Sequence, residues 1–185
     1  MTSDEQLAAV TIGPRPTYVP IVLADYDPEW PRLYEREEAR IRAILGDRIV
    51  RIDHVGSTSV PGLAAKPIID MMLVLPDTTD EPSYLPDLAA AGYVLRIREP
   101  DWYEHRLFKG PDTDINLHVH PPTSPEIRRH LIFRDWLRTN ESDRERYLAT
   151  KRELAERRWK YVQNYADAKS EVIEEIIGRA EQAAC

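Results

Sequence analysis

One cysteine in 185 residues, at the last position, leaves no intrachain disulfide and no thiolate metal cluster for Cys185 to join. Basic charge is also short: 25 Lys and Arg against 32 Asp and Glu give a formal net charge of −7. That balance argues against a general nucleic-acid binder, since counterion release needs a basic surface, though a local basic cleft is compatible with it. Long hydrophobic runs are missing as well. Met1 to Ala9 carries acids and no extended apolar core, so neither a secretion signal nor a membrane span is expected, and cytoplasmic placement suits the cysteine usage. Repeats and low-complexity tracts are absent.

Prolines, by contrast, number 15 and cluster at Pro14, Pro16 and Pro20, at Pro76, Pro82 and Pro86, and at Pro121, Pro122 and Pro125. They read as joints between elements. Residues 1–18 read as a flexible N-terminal arm and 19–185 as a single domain, long enough to bury its own core. Asp27-Pro28 opens a helix that Gly46 closes. Alternation predicts a strand over 50–55, and the nearly unbroken apolar run 68–75 predicts a central strand covered on both faces. A helix over 84–91, a strand over 93–97, a strand pair over 104–109 and 114–120, a helix over 124–138 and a long helix from 142 to 180, interrupted near Asn164, complete the reading. The class is α+β: a mixed β-sheet with packed helices and a helical C-terminal half.

Chemistry concentrates between Asp53 and Met72. Gly56-Ser57-Thr58-Ser59 places small hydroxylated residues in a turn whose exposed backbone N–H groups suit phosphate oxygens. Lys66 follows, and then Asp70, a carboxylate inside an apolar strand that must be paired, protonated or metal-bound. A purely structural Asp70, bonding Ser57 or Thr58, is the competing reading. Period-two alternation puts Asn116, His118 and His120 on one strand face, where two imidazoles suit a transition metal or a phosphate, or simply pack. Arg106 and Lys109 sit on the strand predicted to pair with that face and are expected to neutralise an anionic substrate.

The string HVGSTSVPGLAAKPIID, running from His54 to Asp70, resembles the GrpB family, whose fold is related to that of the nucleotidyltransferases. The helical half is similar too, in Phe133-Arg134-Asp135-Trp136-Leu137-Arg138, in Tyr147 to Lys151 and in the stretch from Ala168 to Ile173 that contains Lys169. The resemblance runs from about Tyr18 to Ala180. It implies a nucleotidyltransferase-like fold and a metal-dependent nucleotidyl or phosphoryl transferase acting on a small molecule, with ATP or another nucleoside triphosphate as a candidate substrate. Asp70, His118 and His120 would then be the catalytic and metal-holding residues, for Mn, Mg or Zn. Arg134, Tyr147 and Lys151 would join the turn, Lys66, Arg106 and Lys109 in binding phosphate or substrate. This chain departs from the nucleotidyltransferase pattern at Met72, where a second carboxylate belongs, and from the family's histidine run at Leu117; Asp114 is a candidate third acid. A catalytically reduced phosphate-binding module and a folding accessory domain are the alternatives, the latter because GrpB-like segments also occur fused to coenzyme A biosynthetic kinases.

Overall fold

The computed structural model describes residues 2–183, so Cys185 lies outside the described residues. Five strands form one sheet in the order β1-β2-β5-β4-β3. They are β1 (Arg51–Val55), β2 (Ile69–Val74), β3 (Val94–Glu99), β4 (His105–Lys109) and β5 (Ile115–His120). Only the central pair β2 and β5 runs parallel, and the other three pairings are antiparallel, so the expected mixed sheet of an α+β fold is present.

The helices α1 (Asp4–Val10), α2 (Glu29–Leu45), α3 (Leu85–Ala90), α4 (Glu126–Thr139), α5 (Glu141–Ala155), α6 (Val162–Asp167) and α7 (Ser170–Ala183) divide between the two sheet faces. Ile41 and Leu45 of α2 and Leu88 of α3 pack on Met71, Leu73, Phe108, Leu117 and Val119, a main core with no access to solvent at most of these positions. On the opposite side, Leu137 of α4, Tyr147 of α5 and Ile176 of α7 close over Val60 and Leu63, just past the Gly-Ser turn. The turn is thereby wedged between the sheet edge and the helical half. Alternation along β5 holds as read: Ile115, Leu117 and Val119 enter the main core, while Asn116 and His118 face the helical side.

Two segments differ from the sequence expectation. Part of the arm over 1–18 is helical: Ser3 caps α1 in a reciprocal box with Gln6, Leu7 is buried, and Thr11 bridges to Ile97 on the β3 edge. One apolar anchor and a sheet edge are enough to dock it. The long C-terminal helix is divided into α5, α6 and α7, with its first break at 156–161, ahead of Asn164. Trp159 donates its indole N–H to the Leu154 carbonyl there, satisfying the helix end with a side chain instead of a further turn.

Candidate functional site

The turn that follows β1 is a single 3₁₀ turn, Ser57–Ser59, entered through Gly56 at φ 68°. Val55 pairs with Asp70 in the antiparallel β1–β2 ladder, so Gly56 comes directly alongside the Asp70 carboxylate. A Cβ at Gly56 would collide with that carboxylate and would stand 2.9 Å from the Asp70 Cβ, which is why glycine is required here. The Asn116 amide donates to Asp70 Oδ1 at 2.8 Å, and His118 Nε2 stands 3.8 Å from the same oxygen. Burial alone would raise the Asp70 carboxyl, but His118, the Asn116 amide and Lys66 outweigh it and bring its pKa down to about 2.

Asp70 opens onto a cavity of about 830 Å³, the size of a pocket for a small organic ligand. Ser57, Thr58, Lys66, Lys109, Lys151 and Lys169 line it with Asp70. Lys109 is neutralised by Asp114 at 2.5 Å and donates to the Asn116 side-chain oxygen at 3.0 Å. Lys66, Lys151 and Lys169 have no carboxylate within ion-pair distance among the described residues. Lys151 is 2% exposed and donates to Ser57 Oγ at 3.2 Å. Burial, with Lys169 and Arg152 adding like charge, pushes its ammonium down to about 7. Burial also lowers Lys66 and Lys169, and the Lys169 charge adds to the effect at Lys66. The ring of Tyr165 lies beneath both ammoniums, 4.7 Å from Lys169 Nζ and 5.7 Å from Lys66 Nζ. Its buried hydroxyl has no hydrogen-bond partner among the described residues. The sequence reached Lys169 only through the family resemblance of the helical half and did not name Tyr165 for the site, because both arrive only through the folding back of α6 and α7.

The histidines group beside this cavity. His118 stacks on His105 at 5.3 Å between ring centres and His105 on His120 at 4.7 Å, with His130 of α4 5.8 Å from His118. Burial holds His105 and His120 down to about 2 and His130 to about 3, so these imidazoles are neutral. His105 signalled nothing as a lone histidine at the start of a strand.

Several residues expected at the site stand elsewhere. Arg106 is buried on the opposite sheet face, bonded to Glu81 at 2.7 Å and to Glu104. It is three residues from Lys109, and odd spacing on a strand sends two side chains to opposite faces. Arg134 ties α4 to β1 through the His54 carbonyl at 3.1 Å and Asp53 at 3.3 Å. Tyr147 is packed edge-on against Phe133 in the helical core, behind Lys151. Ser59 turns back on the Gly56 carbonyl at 2.6 Å. Thr58 reaches the cavity, although His54 Nε2 engages its hydroxyl at 3.0 Å. His120 is fully buried, with Nδ1 at 3.2 Å from Ser124 Oγ, and does not reach Asp70.

A divalent cation of the kind the resemblance implies would need several hard oxygen donors. Asp70 here is accompanied by an amide N–H, one imidazole and three lysines, Met72 is fully buried two residues on, and among the described residues no three His, Cys, Asp or Glu side chains are arranged so that they could hold a metal ion. As the side chains stand, this set does not fit a divalent ion. It fits an anion.

A mixed-sheet α+β domain with a lysine-lined cavity beside a Gly-Ser turn is thus the class defined by fold and site. The family model described as "GrpB protein" matches residues 20–179, and the chain belongs to that family. UPF0157 protein BH1888 of Halalkalibacterium halodurans is 58% identical over 179 residues, covering 96% of this chain and 92% of that protein. UPF0157 protein SCO7215 of Streptomyces coelicolor is 46% identical over 165 residues, covering 89% and 87%. The crystal structure of conserved protein GrpB from Enterococcus faecalis superposes with a TM-score of 0.75 at 29% identity, over 88% of this chain and 99% of that one. Structures of the nucleotidyltransferase-fold protein Cid1 are also similar, one with its short product ApU at a TM-score of 0.49 and 12% identity, a level that supports no statement about activity.

Proposed function

We propose that the cavity binds a phosphorylated small molecule of nucleotide size, held by Ser57, Lys66, Lys151 and Lys169. The observation that carries this reading is the set of three lysines, unpaired by carboxylates among the described residues, around one cavity. Lys151 is buried and Lys66 and Lys169 are half-buried; ammoniums drawn partly out of water without counter-charge are costly, and an anionic ligand is the partner that offsets the cost. A two-metal transfer mechanism is not part of this reading, because the donor set is cationic around a single acid. Group transfer on the bound phosphate compound remains the finer expectation, and the histidines beside Asp70 favour it over simple storage.

The test is a thermal-shift panel of ATP, ADP, AMP and inorganic phosphate, each with and without EDTA. Binding to the native state alone raises stability by about 2.7 kcal/mol at a ligand concentration one hundred times Kd. ATP is expected to raise Tm equally in both conditions, and Lys169→Met is expected to remove most of the rise. A shift that appears only with divalent metal, or no shift with any of the four, rejects the reading.

A further inference from the structure

The structure contains a row of three hydrogen-bonding side chains that ends in the cavity. Glu99 Oε2, at the end of β3, lies 2.7 Å from His105 Nδ1. His105 Nε2 lies 3.1 Å from His118 Nδ1, and His118 Nε2 faces Asp70 at 3.8 Å. The row is sheltered at its middle: the His105 side chain is 4% exposed, packed edge-on by Trp102 at 5.2 Å, whereas Glu99 is 27% exposed at one end and His118, 22% exposed, lines the cavity at the other.

Hydrogen-bond directions along such a row are linked. An ionised Glu99 only accepts, so His105 carries its proton on Nδ1 and presents a lone pair at Nε2. His118 must then carry its own proton on Nδ1, which leaves a lone pair at Nε2, the nitrogen in the cavity. Burial, with His118 and Arg106 adding to it, holds His105 down to about 2, so His105 stays neutral and orients its neighbour without taking a proton from it.

We propose that Glu99 and His105 are positioning residues that fix His118 as a general base, with Nε2 accepting a proton from a hydroxyl or water beside the bound phosphate compound. The O–H bond breaks, the proton bonds to Nε2, and the electron pair stays on the oxygen, which becomes the nucleophile: it bonds to phosphorus as the bond from phosphorus to the departing oxygen breaks, and that oxygen leaves with the bonding pair. The identity of the ligand rests on the phosphate-binding reading above; the tautomer of His118 does not. The resemblance pointed to His118 as a catalytic residue, but its orientation depends on two side chains from other strands.

Two measurements on the full chain test this. Long-range proton–nitrogen correlation spectra of nitrogen-15 histidine-labelled protein, assigned with single-histidine variants, report which ring nitrogen carries the proton. His118 is expected as the Nδ1–H form in the wild type, and the Nε2–H form, the pattern a protonated Glu99 would impose, overturns the proposal. In Glu99→Leu the preference is expected to be lost while His54, outside the row, stays unchanged; a retained preference in a folded variant overturns the positioning role. Should Glu99→Leu fail to fold, the wild-type tautomer decides. The second measurement is the rate at which diethyl pyrocarbonate modifies His118, read by peptide mass. It is expected to fall about twofold or more in Glu99→Leu, as the reactive lone pair leaves Nε2 in part of the population. ATP, added with EDTA, is expected to protect His118. If ATP raises Tm yet leaves His118 unprotected and its resonances unmoved, the base is not at the ligand. If ATP gives no shift at all, the binding reading and the placement of the ligand fall together, and the row is judged on the tautomer alone.

Discussion

Gly56 and Asp70 constrain one another, and the consequence is measurable at each. The turn needs a positive φ at Gly56, and any side chain there is driven into the Asp70 carboxylate. Gly56→Ala is expected to lower stability by about 1–3 kcal/mol in urea unfolding, the usual cost of a strained backbone position, and to weaken ATP binding in parallel. Asp70 has a folded-state pKa near 2, below its unfolded value. A depressed carboxylate contributes stability that is complete above the unfolded value, about 4, and is lost as pH falls through about 2. Asp70→Asn is therefore expected to flatten the acid limb of the stability profile between about pH 4 and pH 2, as read by urea midpoints at stepped pH. At this scale the sequence named the turn, Lys66, Asp70, His118 and Lys151 for the cavity, because glycine, small hydroxyls and a lone acid in an apolar run are unusual in themselves. It did not separate Lys151 from Tyr147, four residues away on α5, where only packing distinguishes the cavity side from the core.

β4 shows how an element sorts residues that a sequence places together. His105, Leu107 and Lys109 reach the helical side of the sheet, while Arg106 and Phe108 go to the other, so Arg106 serves a buried ion pair with Glu81. Leaving a buried charge with no partner typically costs about 3–5 kcal/mol, but Arg98 also bonds Glu81, so loss of Arg106 leaves that carboxylate partly compensated and the cost below that figure. Arg106→Met is accordingly expected to lower the urea-unfolding free energy by less than that amount while leaving the ATP-induced Tm shift in place; loss of the shift in a folded variant would return Arg106 to the cavity. The break over 156–161 has the opposite effect, joining what the sequence keeps apart. A continuous helix from 142 to 180 would carry Lys169 some 27 Å beyond Lys151 at 1.5 Å per residue, whereas the two interruptions fold it back onto the same cavity.

For the whole molecule, the segment from Thr11 to Ala24 contributes one wall of the cavity. Ile12 donates its N–H to the Arg96 carbonyl at 2.8 Å, Tyr18 to the Lys160 carbonyl at 2.8 Å, and Ala24 to the Ala65 carbonyl at 2.8 Å, with Pro14, Pro16 and Val19 lining the cavity between these anchors. A ligand in the cavity would lie against this segment. ATP is expected to slow amide exchange at Ile12 and Tyr18 in hydrogen-exchange mass spectrometry, and exchange there that is indifferent to a bound ligand would show that the segment takes no part in binding. Among the described residues no helix is long and apolar enough to cross a membrane, as the composition led one to expect.

The sequence by itself determined the α+β class, nearly every strand, and the turn with its neighbouring acid, since alternation, proline joints and local glycine geometry act within a few residues. Only the tertiary structure decided which charges share a space. Lys66, Lys109, Lys151 and Lys169 come from four separate stretches of chain, and Glu99, His105 and His118 from three strands. Their meeting is set by sheet order and by where helices stop, contacts between residues far apart in the chain that no local pattern encodes.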